Sequence, residues 1–279
     1  MPERVIVLVL NWNNWRDTNE CLDSLQRLRF DSWKAIVLDN GSTDDSVMRI
    51  RGRFPEVELL QLRENFGFAK GNNEGIRTAL ERRAEYVWLL NNDTTVDAGA
   101  LAALVAKMEK DEKIGATGSA IYSMTRPGEL QTWGGGRVSG FGRSHYFTKP
   151  VEDEQIQFLT GASLFLRSAT LQSVGLLDEG FFMYWEDADL CFRARRAGWK
   201  LAVCGDSKVW HKEQGTVGRK SERLDFEFSK SAVRFYRRNC RMPLLPITLT
   251  VFLRVLKRAI ALDWKRAHAV WTGAFAGAN

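Results

Sequence analysis

The stretch RVIVLVLN at residues 4–11 constrains this chain more than any other. It is β-branched and leucine-rich without alternation, the pattern of a strand covered on both faces. A second buried strand is expected at 35–38, a short third at 58–62 and a fourth at 86–90. Between them, Cys21, Leu22, Leu25 and Leu28 recur at helical spacing over 17–28, and 71–83 also reads as a helix. Strands alternating with helices of this length predict a parallel α/β sheet. In such sheets ligands bind at the carboxyl ends of the strands. Three polar clusters follow strands there: Asn11-Trp12-Asn13, Asp39-Asn40-Gly41-Ser42 and Asn91-Asn92-Asp93.

The middle of the chain is less regular. Glycines 134, 135, 136, 140 and 142 mark a loop between short strands, either a lid over a substrate or a plain β-turn region. Residues 158–167 read as one strand, 168–174 as a short helix, and 175–201 as a loop, an acidic helix start and a helix with basic residues toward its end, an order that suits its dipole. Beyond Arg219 a polar helix over 221–238 is expected, broken by Pro243 and Pro246, and then one helix over 247–268. In that last stretch Leu249, Phe252, Leu253, Leu256 and Ile260 form one side, with Arg254, Lys257, Arg258 and Lys265 on another. The organisation expected is a body over 1–215, with halves 1–97 and 98–215, and a basic amphipathic extension over 216–279.

Charge is unevenly spread. From Arg219 onward there are 13 Lys/Arg against 4 Asp/Glu, whereas 1–218 holds 27 against 30. A basic tail suggests an anionic partner, and its apolar stripe favours a membrane surface, with the uncharged run 242–253 too short to span a bilayer. A nucleic-acid partner predicts basic residues interleaved with aromatics along a groove, and that pattern is missing, so none is expected. Four scattered cysteines and an N-terminus that runs straight into VIVLVLNWNN fit a reducing, cytoplasmic location.

Several groups could carry chemistry. Asp93 stands where it could hold magnesium or manganese against a diphosphate, although Asn92–Thr95 reads equally as a turn and helix cap. Trp185-Glu186-Asp187-Ala188-Asp189 places three acids directly behind FFMYW, where apolar surroundings raise a carboxylate's pKa and suit a general base, or the acids simply start a helix. His211, one of three histidines, is a metal ligand or a structural residue. Trp133, Trp185 and Trp199 are candidates to stack on sugar rings. No GxGxxG follows the first strand, and no GxxxxGK[ST] or GxSxG occurs, which removes the usual signatures of dinucleotide, P-loop and α/β-hydrolase sites.

Taken in order, VLNWNN, VLDNGSTDDS, ENFGFAKGNNEGI, WLLNNDTTVD, TGASLFLRSATLQSVGLLDEGFFMYWEDADLCFRARRAGWKL and VWH closely resemble the family-2 inverting glycosyltransferases, in particular the rhamnosyltransferase-like and galactofuranosyltransferase-like branch. The resemblance covers about residues 4–215. It implies a GT-A fold, a Rossmann-like, mostly parallel mixed sheet flanked by helices, here with a C-terminal helical extension. By similarity Asp39 reads the nucleotide base beside Asn11 and Asn40, and Arg63, Asn65, Gly67, Ala69 and Asn92 line the nucleotide pocket. Asn91-Asn92-Asp93 occupies the place of the DXD motif, with Asp93 and His211 as ligands of a divalent cation, Mg²⁺ or Mn²⁺, and Asn91 replacing the first carboxylate. Asp187 matches the catalytic base, with Glu186 beside it and Trp185 and Asp189 shaping the acceptor pocket. The implied donor is dTDP-rhamnose, otherwise a UDP-sugar. The implied acceptor is a glycan or lipid-linked molecule at the inner membrane surface, with oligomeric state left open. A non-catalytic sugar-binding relative is the alternative.

Overall fold

A computed structural model describes residues 3–126, 128–212 and 221–278. The expected boundary at 215/216 lies outside the described residues. The strands are β1 (Val5–Asn11), β2 (Trp33–Asp39), β3 (Glu58–Gln61), β4 (Tyr86–Asn91), β5 (Thr94–Val96), β6 (Ile114–Ser123), β7 (Leu130–Thr132), β8 (Gly135–Val138), β9 (Ser144–Tyr146), β10 (Phe158–Leu159), β11 (Ser163–Arg167) and β12 (Lys200–His211). The α-helices are α1 (Trp15–Leu25), α2 (Ser46–Arg53), α3 (Gly67–Glu81), α4 (Ala100–Glu109), α5 (Ser168–Val174), α6 (Glu186–Arg196), α7 (Glu222–Asn239), α8 (Leu244–Ile260) and α9 (Trp264–Ala278).

The main sheet runs β3-β2-β1-β4-β11-β6-β12-β5, with β7 added on β6. β1 to β4 are mutually parallel, β11 lies antiparallel between β4 and β6, and β12 is parallel to β6. The expected mixed, mostly parallel sheet is therefore present, and strands from both sides of residue 97 share it. Alternate residues of β1 enter two cores: Ile6 and Leu8 pack in one, Val5, Val7 and Val9 in the other. Both faces are covered, which is why the strand reads as an unbroken apolar run.

The topology gathers the polar clusters. Asn11, Asp39, Asn91 and His211 close β1, β2, β4 and β12, and the parallel directions put these ends on one edge of the sheet. β12 then pairs antiparallel with β5, setting His211 opposite Thr94. That register delivers His211 to the residue next to Asp93.

Four expectations need correction. The strand expected over 158–167 is two, β10 and β11, separated by Thr160-Gly161-Ala162. α3 begins at Gly67 rather than at 71. Pro246 does not break the tail: it sits in the first turn of α8, where no N–H is needed for an intrahelical bond. The helix expected over 247–268 is instead α8 and α9, parted at Leu262, whose φ of 55° is left-handed.

The charges of the tail are also arranged differently. Arg254 and Arg258 do not line an outer face but turn inward with Arg266 onto one carboxylate. Asp225, 2% exposed in α7, receives Arg254 at 2.8 Å, Arg258 at 2.6 Å and Arg266 at 2.7 Å. Arg254 also lies 3.9 Å from the centre of the Phe228 ring, and burial, reinforced by Arg258's charge, brings its pKa down to about 10. This knot ties α8 and α9 to α7, beside a small core of Val233, Val251 and Val270. Removing one member of such a network leaves buried charge uncompensated, at a cost of about 3–5 kcal/mol. Asp225→Asn is predicted to lose stability of that order in chemical denaturation. A change within about 0.5 kcal/mol, the scatter of an ordinary surface substitution, contradicts this role.

Candidate active site

Two cavities meet at the carboxyl edge of the sheet. The larger, about 620 Å³, is lined by Trp12, Asn40, Asn65, Gly67, Asn92, Asp93, Lys212 and Arg223 among others. The smaller, about 270 Å³, is lined by Ser144, Tyr146, Phe158, Gly161, Trp185, Glu186 and Asp187. Phe68, Asn91, Met183, Tyr184 and His211 border both, so the two open onto each other. The larger has the volume of a small-molecule site.

The wall of the large cavity is a chain of amides. Asn40 Nδ2 donates to Asn65 Oδ1 at 3.1 Å and to the Gly67 carbonyl at 3.1 Å, while its Oδ1 accepts the Phe66 N–H at 3.0 Å. Gly67 has φ +80°, and a Cβ there would stand 2.2 Å from the Phe182 carbonyl oxygen, so only glycine lets α3 start against that loop. Behind this wall, Asn11 Nδ2 donates to Asp39 Oδ1 at 2.8 Å, Thr18 Oγ1 donates to Asn11 Oδ1 at 2.8 Å, and Asp39 Oδ2 accepts the Ser42 N–H at 3.1 Å. Asn11 and Asp39 are thus buried, bonded residues at the back of the cavity and not on its surface.

Asp93 Oδ1 and His211 Nε2 lie 3.2 Å apart at the rim, and Asp93 is 8% exposed. His211 Nδ1 is 3.1 Å from Gln131 Oε1. An amide oxygen only accepts, so Nδ1 donates to it, and Nε2 is the ring nitrogen left facing Asp93. A proton or a cation between Nε2 and Oδ1 satisfies both atoms. An oxygen and a nitrogen donor fit Mg²⁺ or Mn²⁺, which take few protein ligands and complete their shell with phosphate oxygens and water. Among the described residues no three His, Cys, Asp or Glu cluster as a metal cage. Asn92 is anchored at the same rim, its Nδ2 donating to Thr18 Oγ1 at 3.0 Å.

In the small cavity, Asp187 Oδ2 accepts the Gly161 N–H at 2.8 Å and Oδ1 accepts the Ala188 N–H at 2.7 Å. Burial raises its pKa above the ordinary carboxylate value, and these N–H groups hold the rise back. Glu186 is 5% exposed and its Oε2 has no partner among the described residues. Burial first, then the neighbouring Asp187 charge, pushes Glu186 well above its ordinary value. Of the two, Glu186 is pushed further up and binds its proton the more tightly.

Tyr184 and Trp185, which set this pair at the head of α6, both have left-handed backbone, with φ of 68° and 72°. Such residues cost about 1–3 kcal/mol each and gather at functional sites. Trp185 is held by Phe235, Tyr236 and Phe228 of α7, with ring centres 4.6, 5.3 and 5.9 Å away.

Besides Asn11 and Asp39, five expected residues do not face the cavities. Ala69 is fully buried in the core beneath α3. Asp189, also fully buried, pairs with Arg193 at 2.8 Å and accepts from Asn239 Nδ2 at 2.9 Å, so it joins α6 to α7. Trp133 lies over Gly205, where a Cβ would stand 2.4 Å from its ring. Trp199, at the opposite end of β12, donates to Ser173 Oγ at 2.9 Å. Arg63 stands on the exposed rim 3.4 Å from Glu64. Trp185 borders the small cavity, but its ring is committed to α7. The sequence reading missed Arg223, whose guanidinium lies 5.0 Å from the Phe182 ring and 5.8 Å from Trp12, and Gln131 behind His211. Neither lies in a motif, and both arrive from distant sequence.

The fold and its cleft have counterparts among known proteins. The profile of glycosyl transferase family 2 matches residues 6–174. The chain is 26% identical over 208 residues to an N-acetylglucosaminyl-diphospho-decaprenol L-rhamnosyltransferase of Mycobacterium tuberculosis, covering 66% of this chain and 68% of that protein. It is 27% identical over 217 residues to galactofuranosyltransferase GlfT1 of the same species, covering 76% and 71%. Among solved structures it resembles the mannosyltransferase PcManGT of Pyrobaculum calidifontis, determined with GDP-Man and Mn²⁺, with a TM-score of 0.62, 17% identity, and 99% and 77% coverage.

The raised Glu186 pKa has a consequence for stability. A carboxyl that binds its proton more tightly when folded costs nothing below its unfolded value, near 4.5, and destabilises increasingly as pH rises above it toward the folded value. Glu186→Gln, which carries no proton to lose, is predicted to gain thermal stability over the parent at pH 8 but not at pH 4. An equal difference at both pH values contradicts the assignment. With a GT-A sheet, a cleft at its carboxyl edge and a family profile spanning most of the body, the chain belongs to glycosyl transferase family 2.

Proposed function

We propose that this glycosyltransferase moves a sugar from a nucleoside diphosphate donor to a hydroxyl of a glycan or lipid-linked acceptor by a single inverting displacement. The observation that carries the reading is the shared border of the two cavities, with His211 on it, Asp93 on one side and Asp187 on the other. The larger takes the donor: Asn40, Asn65, Gly67 and Asn92 line it, and Asn11 and Asp39 brace its back wall. Asp93 and His211 would hold Mg²⁺ or Mn²⁺, which would supply positive charge to neutralise that developing on the leaving diphosphate. Arg223 forms no ion pair among the described residues and stands at the same cavity, so its guanidinium is free for a phosphate oxygen.

The smaller cavity takes the acceptor. Asp187 removes the hydroxyl proton as the oxygen bonds to the anomeric carbon and the nucleoside diphosphate departs from the opposite face. The two backbone N–H groups orient its carboxylate, and Glu186, kept neutral, adds no competing charge. The names of two relatives favour dTDP-rhamnose first and a UDP-sugar second. The rhamnosyltransferase's name also describes a lipid diphosphate acceptor, which supports work at the inner membrane surface, with the C-terminal helices in contact with it. No helix among the described residues is long and apolar enough to cross a membrane.

The test is turnover, read as nucleoside diphosphate released from dTDP-, UDP- and GDP-sugars. Asp187→Asn is predicted to lower it about 10²- to 10⁴-fold while leaving nucleotide affinity within a few-fold. Unchanged turnover overturns the base assignment. Arg223→Ala is predicted to weaken UDP or dTDP binding at least about tenfold, the worth of a charge-assisted hydrogen bond, and unchanged affinity removes Arg223 from the donor site.

A further inference from the structure

α8 divides its residues cleanly. Ile247, Val251, Arg254 and Arg258 fall on the side turned to α7 and its Asp225. Leu245, Leu249, Phe252, Leu256 and Ile260 fall on the opposite side at helical spacing, and four of these five are exposed, Phe252 by 61% and Ile260 by 74%. α9 repeats the pattern with Trp264, Trp271 and Phe275, each more than 60% exposed. An apolar surface of this extent marks an interaction site.

Charge says what covers it. Arg254, Arg258 and Arg266 are spent on Asp225, but Arg241, Lys257 and Lys265 are exposed with no ion-pair partner among the described residues. No Asp or Glu occurs between Glu227 and Asp263, nor after Asp263. Unpaired cations around an apolar row match an anionic lipid surface.

The glycine-rich segment adds the new element. It is not a free lid: β8 and β9 form a hairpin whose tip is latched to α8. Thr250 Oγ1 donates to the Gly142 carbonyl at 2.7 Å, and Gly142, at φ +83°, leaves no room for a Cβ, which would stand 2.2 Å from Thr250 Oγ1 and 2.4 Å from the Pro246 carbonyl oxygen. The neighbouring Phe141 is thereby carried beside the first turns of α8, 65% exposed. The same hairpin supplies Ser144 and Tyr146 to the wall of the cavity that holds Asp187.

We propose that the hairpin tip and α8 enter an anionic bilayer surface as one unit, with Phe141 as a membrane contact, so that the Asp187 cavity opens where a lipid-linked acceptor presents its head group. The acceptor class is then an amphiphile held at the interface and not a free sugar. This rests on the transferase reading for the identity of the cavity, though the membrane contact stands or falls by itself.

The experiment is partitioning of the full chain into phosphatidylcholine vesicles with and without phosphatidylglycerol, for the parent, Phe141→Ser and Phe252→Ser. Both variants are predicted to lose about tenfold in partitioning, the worth of one phenylalanine withdrawn from an apolar medium, and the parent to prefer the anionic vesicles. Thermal midpoints equal to the parent's check that each variant is folded. If Phe252→Ser falls and Phe141→Ser does not, the hairpin is outside the contact and the proposal is overturned. It is also overturned if the parent ignores vesicles, and light scattering that then shows a dimer lost in both variants assigns the face to a second copy. UDP and dTDP binding, measured on the same samples, fails separately if the transferase reading is wrong.

Discussion

The packing of Trp185 among Phe228, Phe235 and Tyr236 is the contact on which the acceptor side depends. It secures two consecutive left-handed residues, and the strain they hold, about 1–3 kcal/mol each, is of the same order as three aromatic contacts at about 0.5–1.5 kcal/mol apiece. From that fixed point α6 begins, with Glu186 and Asp187 in its first turn. The C-terminal helices are therefore part of the machinery. α7 holds the left-handed turn before α6 by its aromatic side, Asp189 by Asn239, and α8 and α9 by Asp225.

Four of the five buried carboxylates among the described residues have four distinct environments. Asp225 is surrounded by arginines and serves architecture. Asp39 is bonded by Asn11 and Ser42 and stiffens the back of the donor cavity. Asp93 faces the Nε2 of His211 at 3.2 Å. Glu186, with an oxygen unpartnered among the described residues, is pushed well above the ordinary carboxylate range by burial and by the charge of Asp187.

Much of this was legible in the sequence because it depends on local pattern. Unbroken apolar runs announced a sheet covered on both faces, and polar clusters at their ends announced its carboxyl edge. What the sequence hid depends on distant packing. The position of Asp189 behind α6, the inward turn of Arg254 and Arg258, and the approach of Arg223 and Gln131 all require knowing which helix or strand lies beside which. Pro246 misled for a different reason: the rule that proline ends a helix does not hold in the first turn. Trp133 and Trp199 misled because a tryptophan's sequence neighbours do not tell whether its ring faces a cleft or a core.

The central claim is that Asp93 and His211 hold a cation at which a nucleoside diphosphate binds. Thermal midpoints with dTDP, UDP and GDP, each with manganese or EDTA, test it most directly in the parent and in Asp93→Ala. Binding to the folded state raises the midpoint by mass action. The account predicts a manganese-dependent rise with dTDP or UDP that Asp93→Ala abolishes. A rise indifferent to both metal and substitution contradicts it, because the nucleotide would then be held without the site on which the mechanism rests.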